Sequence, residues 1–148
     1  MILPIYLYGS EKLRNENAEA DIQDKEGLTK LISDMWETLK AADGCGLAAP
    51  QVGVNLRVVI VDGTDLSDTY EYLHDFRRVM INPVVLEESE DVCDYSEGCL
   101  SVPGIYAEVT RPSKIKVEYY DENFEKVVEE FDRFGCRMVQ HELSHLEG

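Results

Sequence analysis

Along residues 25–44, KEGLTKLISDMWETLKAADG, Leu28, Leu31, Ile32, Met35 and Leu39 recur at helical spacing among charged residues. That pattern predicts an amphipathic helix with one buried stripe, stopped near Gly44. After GCGLAAPQVGVN the β-branched run LRVVIVDG predicts a buried strand ending at Gly63. The next apolar run, VMINPVVLEE, carries Pro83. A proline cannot donate to a strand ladder, so this run is expected at an edge or as an irregular strand.

SKIKVEYY and FEKVVEEF, separated by the polar DEN, predict a hairpin with Ile115, Val117 and Tyr119 alternating on one side. The last stretch, FGCRMVQHELSHLEG, returns to helical spacing, with Val139, Leu143 and Leu146 on an apolar face. A helix, several strands and a final helix predict an α+β fold in which antiparallel or mixed sheets hold the helices. There is no internal repeat, low-complexity tract or linker, so one domain over residues 1–148 is expected.

Composition narrows the class. A chain of 148 residues is long enough to bury roughly 70% of the surface its unfolded form exposes, so neither disulfide nor metal is needed merely to hold it together. Its 44% apolar and 30% charged residues suit a soluble globular protein. The net charge of −16 repels phosphate backbones and anionic lipid, which argues against direct nucleic-acid or membrane binding. The opening MILPIYLY is too short for a span, contains Pro4 and lacks a basic flank, so a cytoplasmic protein is expected. Cys45, Cys93, Cys99 and Cys136 show no CxxC spacing and are expected reduced. Cys93 and Cys136 read as small buried hydrophobes.

Chemistry concentrates in QHELSH, residues 140–145. Helix residues four apart differ by about 40° around the axis, so His141 and His145 project from one face and can meet one metal ion. Glu142 lies roughly 100° from His141, which places its carboxylate beside such an ion rather than on it, where a general base would act. The pattern is short, and two histidines on a solvated helix face would look the same. A catalytic site of this type needs a third protein ligand and an open position. Only three residues follow His145, and Glu147 is too near along the helix to converge, so the ligand must lie upstream. A carboxylate, His74 or a thiol could supply it, and Cys99 stands out within EGCLSVPG.

Three stretches together change the weight of this reading: GCGLAAPQ at residues 44–51, EGCLS at 97–101 and QHELSH at 140–145. In this order the chain resembles the peptide deformylases, and the helix before the first motif and the hairpin between the last two extend the likeness over most of its length. The resemblance implies an enzyme that removes the formyl group from the N-terminal formyl-methionine of nascent chains. It implies Cys99, His141 and His145 as metal ligands, with Fe(II) the usual physiological ion and Ni(II) or Zn(II) able to take its place. Glu142 is then the general acid/base, and Gln51 with the backbone N–H of Leu100 holds the developing oxyanion. By the same likeness a substrate would run as a strand along Cys45 and Gly46, with Gly98 on its other side. Phe134 and Met138 would line the methionine pocket, although both fit core packing equally well. Expected partners are formylated nascent peptides near the ribosome, met by a monomer.

Two departures from the family pattern stand out. Ser144 occupies a position usually held by Asp, whose partner arginine corresponds to Arg111. The chain also stops soon after the last motif, which predicts a shortened C-terminus and a frayed final turn unless metal holds it. A protease of the H-E-x-x-H type would need a downstream ligand for which there is no room. A silent metal-binding homologue would have no use for Glu142 and Gln51.

Overall fold

The computed structural model describes residues 1–6, 17–99 and 102–147, with 95–99 and 102–109 described by their backbone alone. Helix α1 spans Lys25–Ala42. The Asp24 carboxylate accepts the Gly27 N–H at 3.1 Å and caps its first turn. Leu28, Ile32, Met35 and Leu39 are buried as the spacing requires, while Leu31 lies at the margin. The helix ends at Ala42, two residues before Gly44, in keeping with the expected stop near that glycine. Asp43 takes the left-handed conformation, with φ 54°, and its N–H bonds to Lys40 O. Gly44 N–H bonds to Leu39 O, which completes a Schellman close.

Among the described residues seven strands follow: β1 (Gly46–Ala48), β2 (Val58–Asp62), β3 (Arg77–Glu88), β4 (Val92–Cys99), β5 (Val102–Pro112), β6 (Lys114–Tyr120) and β7 (Lys126–Asp132). A five-stranded antiparallel sheet runs β1-β2-β3-β6-β7, and β4 and β5 pair separately as a hairpin. Helix α2, Arg133–Ser144, comes last and passes into a short 3-10 turn over His145–Glu147. The architecture is α+β, as the pattern predicted.

β2 explains how two cores can share one sheet. Its residues alternate between faces, and all four from Val58 to Val61 are fully buried. Val58 and Ile60 pack with Leu28, Ile32, Met35 and Leu39 under α1. Val59 and Val61 pack with Met80, Val117, Phe131, Met138 and Val139 under α2. Each such side chain contributes about 1.5–3 kcal/mol by leaving water.

The β6–β7 hairpin forms as predicted, with Ile115, Val117 and Tyr119 inward. Its turn is held by Asp121 Oδ1, which accepts N–H bonds from Asn123 and Glu125. Of the two expectations for the run containing Pro83, an edge or an irregular strand, the second holds, because β3 lies inside the sheet between β2 and β6 and its register is irregular there. Pro83 sits where the β3–β6 register slips between Ile81 and Val84, so no ladder bond is lost. Beside it, Asn82 at φ 53° holds Ala20 N–H and C=O through its side-chain amide, at 2.7 and 2.9 Å.

The final turn is tied down by side chains rather than frayed. Asn17 Nδ2 donates to Leu146 O at 3.0 Å. Leu146 is buried, and Arg57 pairs with Glu147 at 3.2 Å. These contacts satisfy carbonyl and charge that the isolated helix end would leave to water.

Candidate active site

Helix α2 carries the chemistry, and its start is set by an aromatic contact. Asp132 occupies the N-cap without a side-chain capping bond. The Phe134 N–H donates instead to the Tyr72 hydroxyl at 3.1 Å. The Arg133 guanidinium lies over the Tyr72 ring at 3.8 Å. One residue on, Gly135 sits against Phe76, where a Cβ would come within 2.7 Å of the ring. The helix is thereby fixed in height and rotation on the sheet.

At the other end His141 and His145 face each other one turn apart, with ring centroids 5.2 Å apart and planes at 77°. Both rings are half-buried. Two imidazoles this close on one face fit two adjacent positions around a single transition-metal ion. Among the described residues no third His, Cys, Asp or Glu side chain joins them. His74, one of the upstream alternatives, is 71% exposed, beside Asp75 and with its Nδ1 near Glu71 O. Cys99 ends β4 and is paired through its backbone with Val102. A thiolate beside two imidazoles is a donor set that Fe(II), Ni(II) and Zn(II) all accept.

Glu142 is 6% exposed. Its carboxylate lies against the backbone of Gly46 on β1, and a Cβ at Gly46 would stand 2.5 Å from Oε2 and 2.8 Å from Cγ and Cδ. A side chain at Gly46 would therefore push the Glu142 carboxylate aside, so the two positions are coupled by contact. β1 ends the five-stranded sheet, with β2 on one side. Beyond Gly46 the chain dives into the core, since Ala48 and Ala49 are fully buried.

Gln51 lies in the 3-10 turn Ala49–Val52 and is 1% exposed. Its Oε1 accepts the Ala48 N–H at 2.9 Å, so the other end of the amide is an NH2 donor. Cys45 is half-buried, and its carbonyl accepts the Asp62 N–H at 2.7 Å. Burial, followed by the charge of Asp65, Asp62, Glu142 and Asp43, raises the Cys45 thiol above its ordinary value. The Cys45 side chain packs against the α2-side core.

Gly98 pairs through the backbone with Tyr106 in the β4–β5 hairpin. Leu100 lies outside the described residues. Phe134 is half-buried, whereas Met138 packs within the α2-side core, its sulfur near Gly63. Ser144 Oγ donates to His141 O at 2.5 Å, a bond back along its own helix. Arg111 stands opposite Cys93 on β5. Cys136 is buried as expected, but Cys93 is only half-buried, and its carbonyl accepts a bond from the Arg137 guanidinium. A cleft of 570 Å³ lined by Trp36, Asp43, Gly44, Asp62, Asp65 and Arg77 opens on the α1 side and includes none of the residues of the histidine pair.

Sequence reasoning passed over Tyr70 and Tyr72, which brace the start of α2. Their only signal was the close spacing of aromatics in YEYLHDF.

The profile of the polypeptide deformylase family matches residues 2–148. The chain belongs to the peptide deformylase family. A peptide deformylase of Chlorobium phaeobacteroides is 45% identical over 148 residues, covering all of this chain and 77% of that protein. That of Christiangramia forsetii is 41% identical over 155 residues, covering all of this chain and 79% of that one. The crystal structure of a probable peptide deformylase from synechococcus phage S-SSM7 superposes with a TM-score of 0.87 at 40% identity, over 98% of this chain and 94% of the other. The α+β arrangement, with antiparallel sheets and a C-terminal helix, is that of the solved deformylases. The protein is a metal-dependent hydrolase that removes the N-formyl group from the formyl-methionine of nascent polypeptides and releases formate. Among the described residues no helix is long and apolar enough to cross a membrane.

Proposed function

We propose that this deformylase binds its metal ion through Cys99, His141 and His145, and that Glu142 is its general acid/base. Gln51 and the backbone N–H of Leu100 stabilise the oxyanion. The observation that carries this reading is the position of Glu142: a buried carboxylate, wedged against Gly46 and one residue from a facing histidine pair. When bound, the ion lowers the pKa of a coordinated water towards neutrality and polarises the formyl group.

The chain's own residues do the rest. A formyl peptide lies along the outer edge of β1, its backbone bonding to Cys45 and Gly46, with Gly98 across from it. Its N-terminus faces Glu142, and its chain leaves towards Gly44, because the Ala48 side is closed by core. Glu142 accepts the proton of the attacking water and returns it to the departing amine, a role worth about 10²–10⁴ in rate. The Gln51 amide, oriented by Ala48 N–H, presents its NH2 to the oxygen on which charge develops. One such donor contributes about 3–4 kcal/mol. Phe134, with Met138 behind it, offers the apolar wall for the methionine side chain.

Fe(II) is the physiological ion in this reading, with Ni(II) or Zn(II) able to replace it, and the enzyme works as a cytoplasmic bacterial monomer near the ribosome. The test is formate release from a formyl-Met tripeptide by protein purified anaerobically and loaded with Fe(II) or Ni(II). Turnover in the parent, abolished in Glu142→Ala with one metal still bound per chain, is the expected result. A fully loaded parent that releases no formate would overturn these roles.

A further inference from the structure

Four half-buried apolar side chains, Leu66, Tyr70, Tyr72 and Phe134, join Cys45 at the edge of the α2-side core. Phe134 lies seven residues before His141, so the two project from α2 within about 20° of each other. The aromatic group thus sits on the histidine face of the helix. Tyr70 stacks on Phe134 nearly parallel, with centroids 4.9 Å apart and planes at 11°. The turn holding Tyr70 is fixed on both sides, since its N–H bonds to Leu66 O at 2.8 Å and its carbonyl accepts Leu73 N–H at 2.9 Å. Tyr72, two residues on, receives the Phe134 N–H. Segment 66–73 and the first turn of α2 are therefore joined by a hydrogen bond and a ring stack.

We infer that Tyr70 is a specificity-determining positioning residue, whose stack on Phe134 fixes the far wall of the methionine pocket and so sets the size of side chain it accepts. This rests on the deformylase reading of the site, in which Phe134 faces the substrate's first side chain. With one ring face covered by Tyr70, Phe134 holds a single orientation. Without that cover its ring is free to swing into the vacated space and the pocket deepens.

The experiment compares kcat/KM for tripeptides beginning with formyl-methionine, formyl-norleucine and formyl-phenylalanine. Tyr70→Ala is expected to lower the preference for methionine over phenylalanine about tenfold, chiefly through KM, the scale on which apolar pockets discriminate. Tyr70→Phe, which can still stack, should keep the parent's ratios. Affinities of the same peptides for Glu142→Gln protein, and for that protein carrying Tyr70→Ala, should shift in the same sense without turnover. Should Tyr70→Ala lose its circular dichroism signature, Tyr70→Leu keeps apolar bulk without a stack and is expected to shift the ratio likewise. Equal loss on all three substrates, or unchanged ratios in an active parent background, would overturn the inference alone. A parent inactive on all three would overturn the deformylase reading of the site, and the inference with it.

Discussion

The two faces of the five-stranded sheet are built from the same strands but for different work. Under α1, Leu28, Ile32, Met35, Leu39, Val58 and Ile60 form an apolar cluster, and the buried polar groups of that helix are Asp34, which accepts from Met1 N and Lys30 Nζ, and Thr38. Under α2 the apolar packing of Val59, Val61, Val117 and Val139 is accompanied by buried Gln51, Arg137, Gln140 and Glu142. Burying such groups costs free energy unless each is held by partners. Gln51 is held by Ala48 N–H, Arg137 by the Cys93 carbonyl and Gln140 by Pro112 O at 3.1 Å. Both helices bury polar groups, but those of α1 tie down Met1 and Leu3, whereas those of α2 include the carboxylate beside the histidine pair.

Glu142→Gln sharpens the contrast most. It keeps shape and burial but removes the proposed proton carrier, so kcat should fall about 10²–10⁴-fold while metal content and melting temperature stay near the parent's. The converse change is Met35→Ala under α1. A fully buried methionine lost from a close-packed core should cost about 2–5 kcal/mol in urea unfolding, with kcat/KM per folded molecule unchanged. If activity fell in proportion, the two faces would be coupled and the division drawn here wrong.

Gly46→Ala tests the contact between β1 and the carboxylate. Displacing Glu142 by about 1 Å should cost roughly 100-fold in kcat/KM, and in a Glu142→Gln background the same change should add little, as expected of two residues acting as a unit.

The smallest effect concerns pH. Burial pushes the Cys136 thiol from 9.0 up to about 12, with Cys93 adding to the rise. The Tyr119 phenol is also raised, by burial and by its bond to Glu129. Between pH 9 and 12 the folded protein keeps protons that the unfolded chain has released. Its stability is therefore complete below pH 9 and declines as pH rises above it. Thermal melts across that range should show the decline, and Cys136→Ala should make it shallower. An equally steep decline in that variant would assign it to other groups.

Local pattern carried much of the fold. The α1 stripe, the buried β2, the β6–β7 hairpin and the apolar face of α2 all rest on periodicities internal to one segment. Where the pattern left alternatives open, contacts within the folded chain decided between them. Asp43, not Gly44, takes the left-handed close of α1, with two cap bonds to Leu39 and Lys40 stabilising it. Pro83 sits inside the sheet because a register slip removes the need for its N–H. The final turn is held by Asn17 and Arg57, from parts of the chain with no visible relation to QHELSHLEG. Candidate ligands and a candidate acid/base could be named from the motifs because those residue types carry the chemistry themselves. The aromatic brace at Tyr70 and Tyr72 was not, since it depends on which turn meets the helix.

By itself the sequence determined which residue types were available and how each segment would coil or extend: two imidazoles one turn apart, a carboxylate between them, a glycine-rich strand and a glutamine after it. Only the tertiary structure decided that Gly46 would press against Glu142 and that Tyr70 would stack on Phe134. The reason is physical: periodicity fixes the direction of a side chain relative to its own element, whereas a contact between elements depends on packing the whole sheet and both its cores at once.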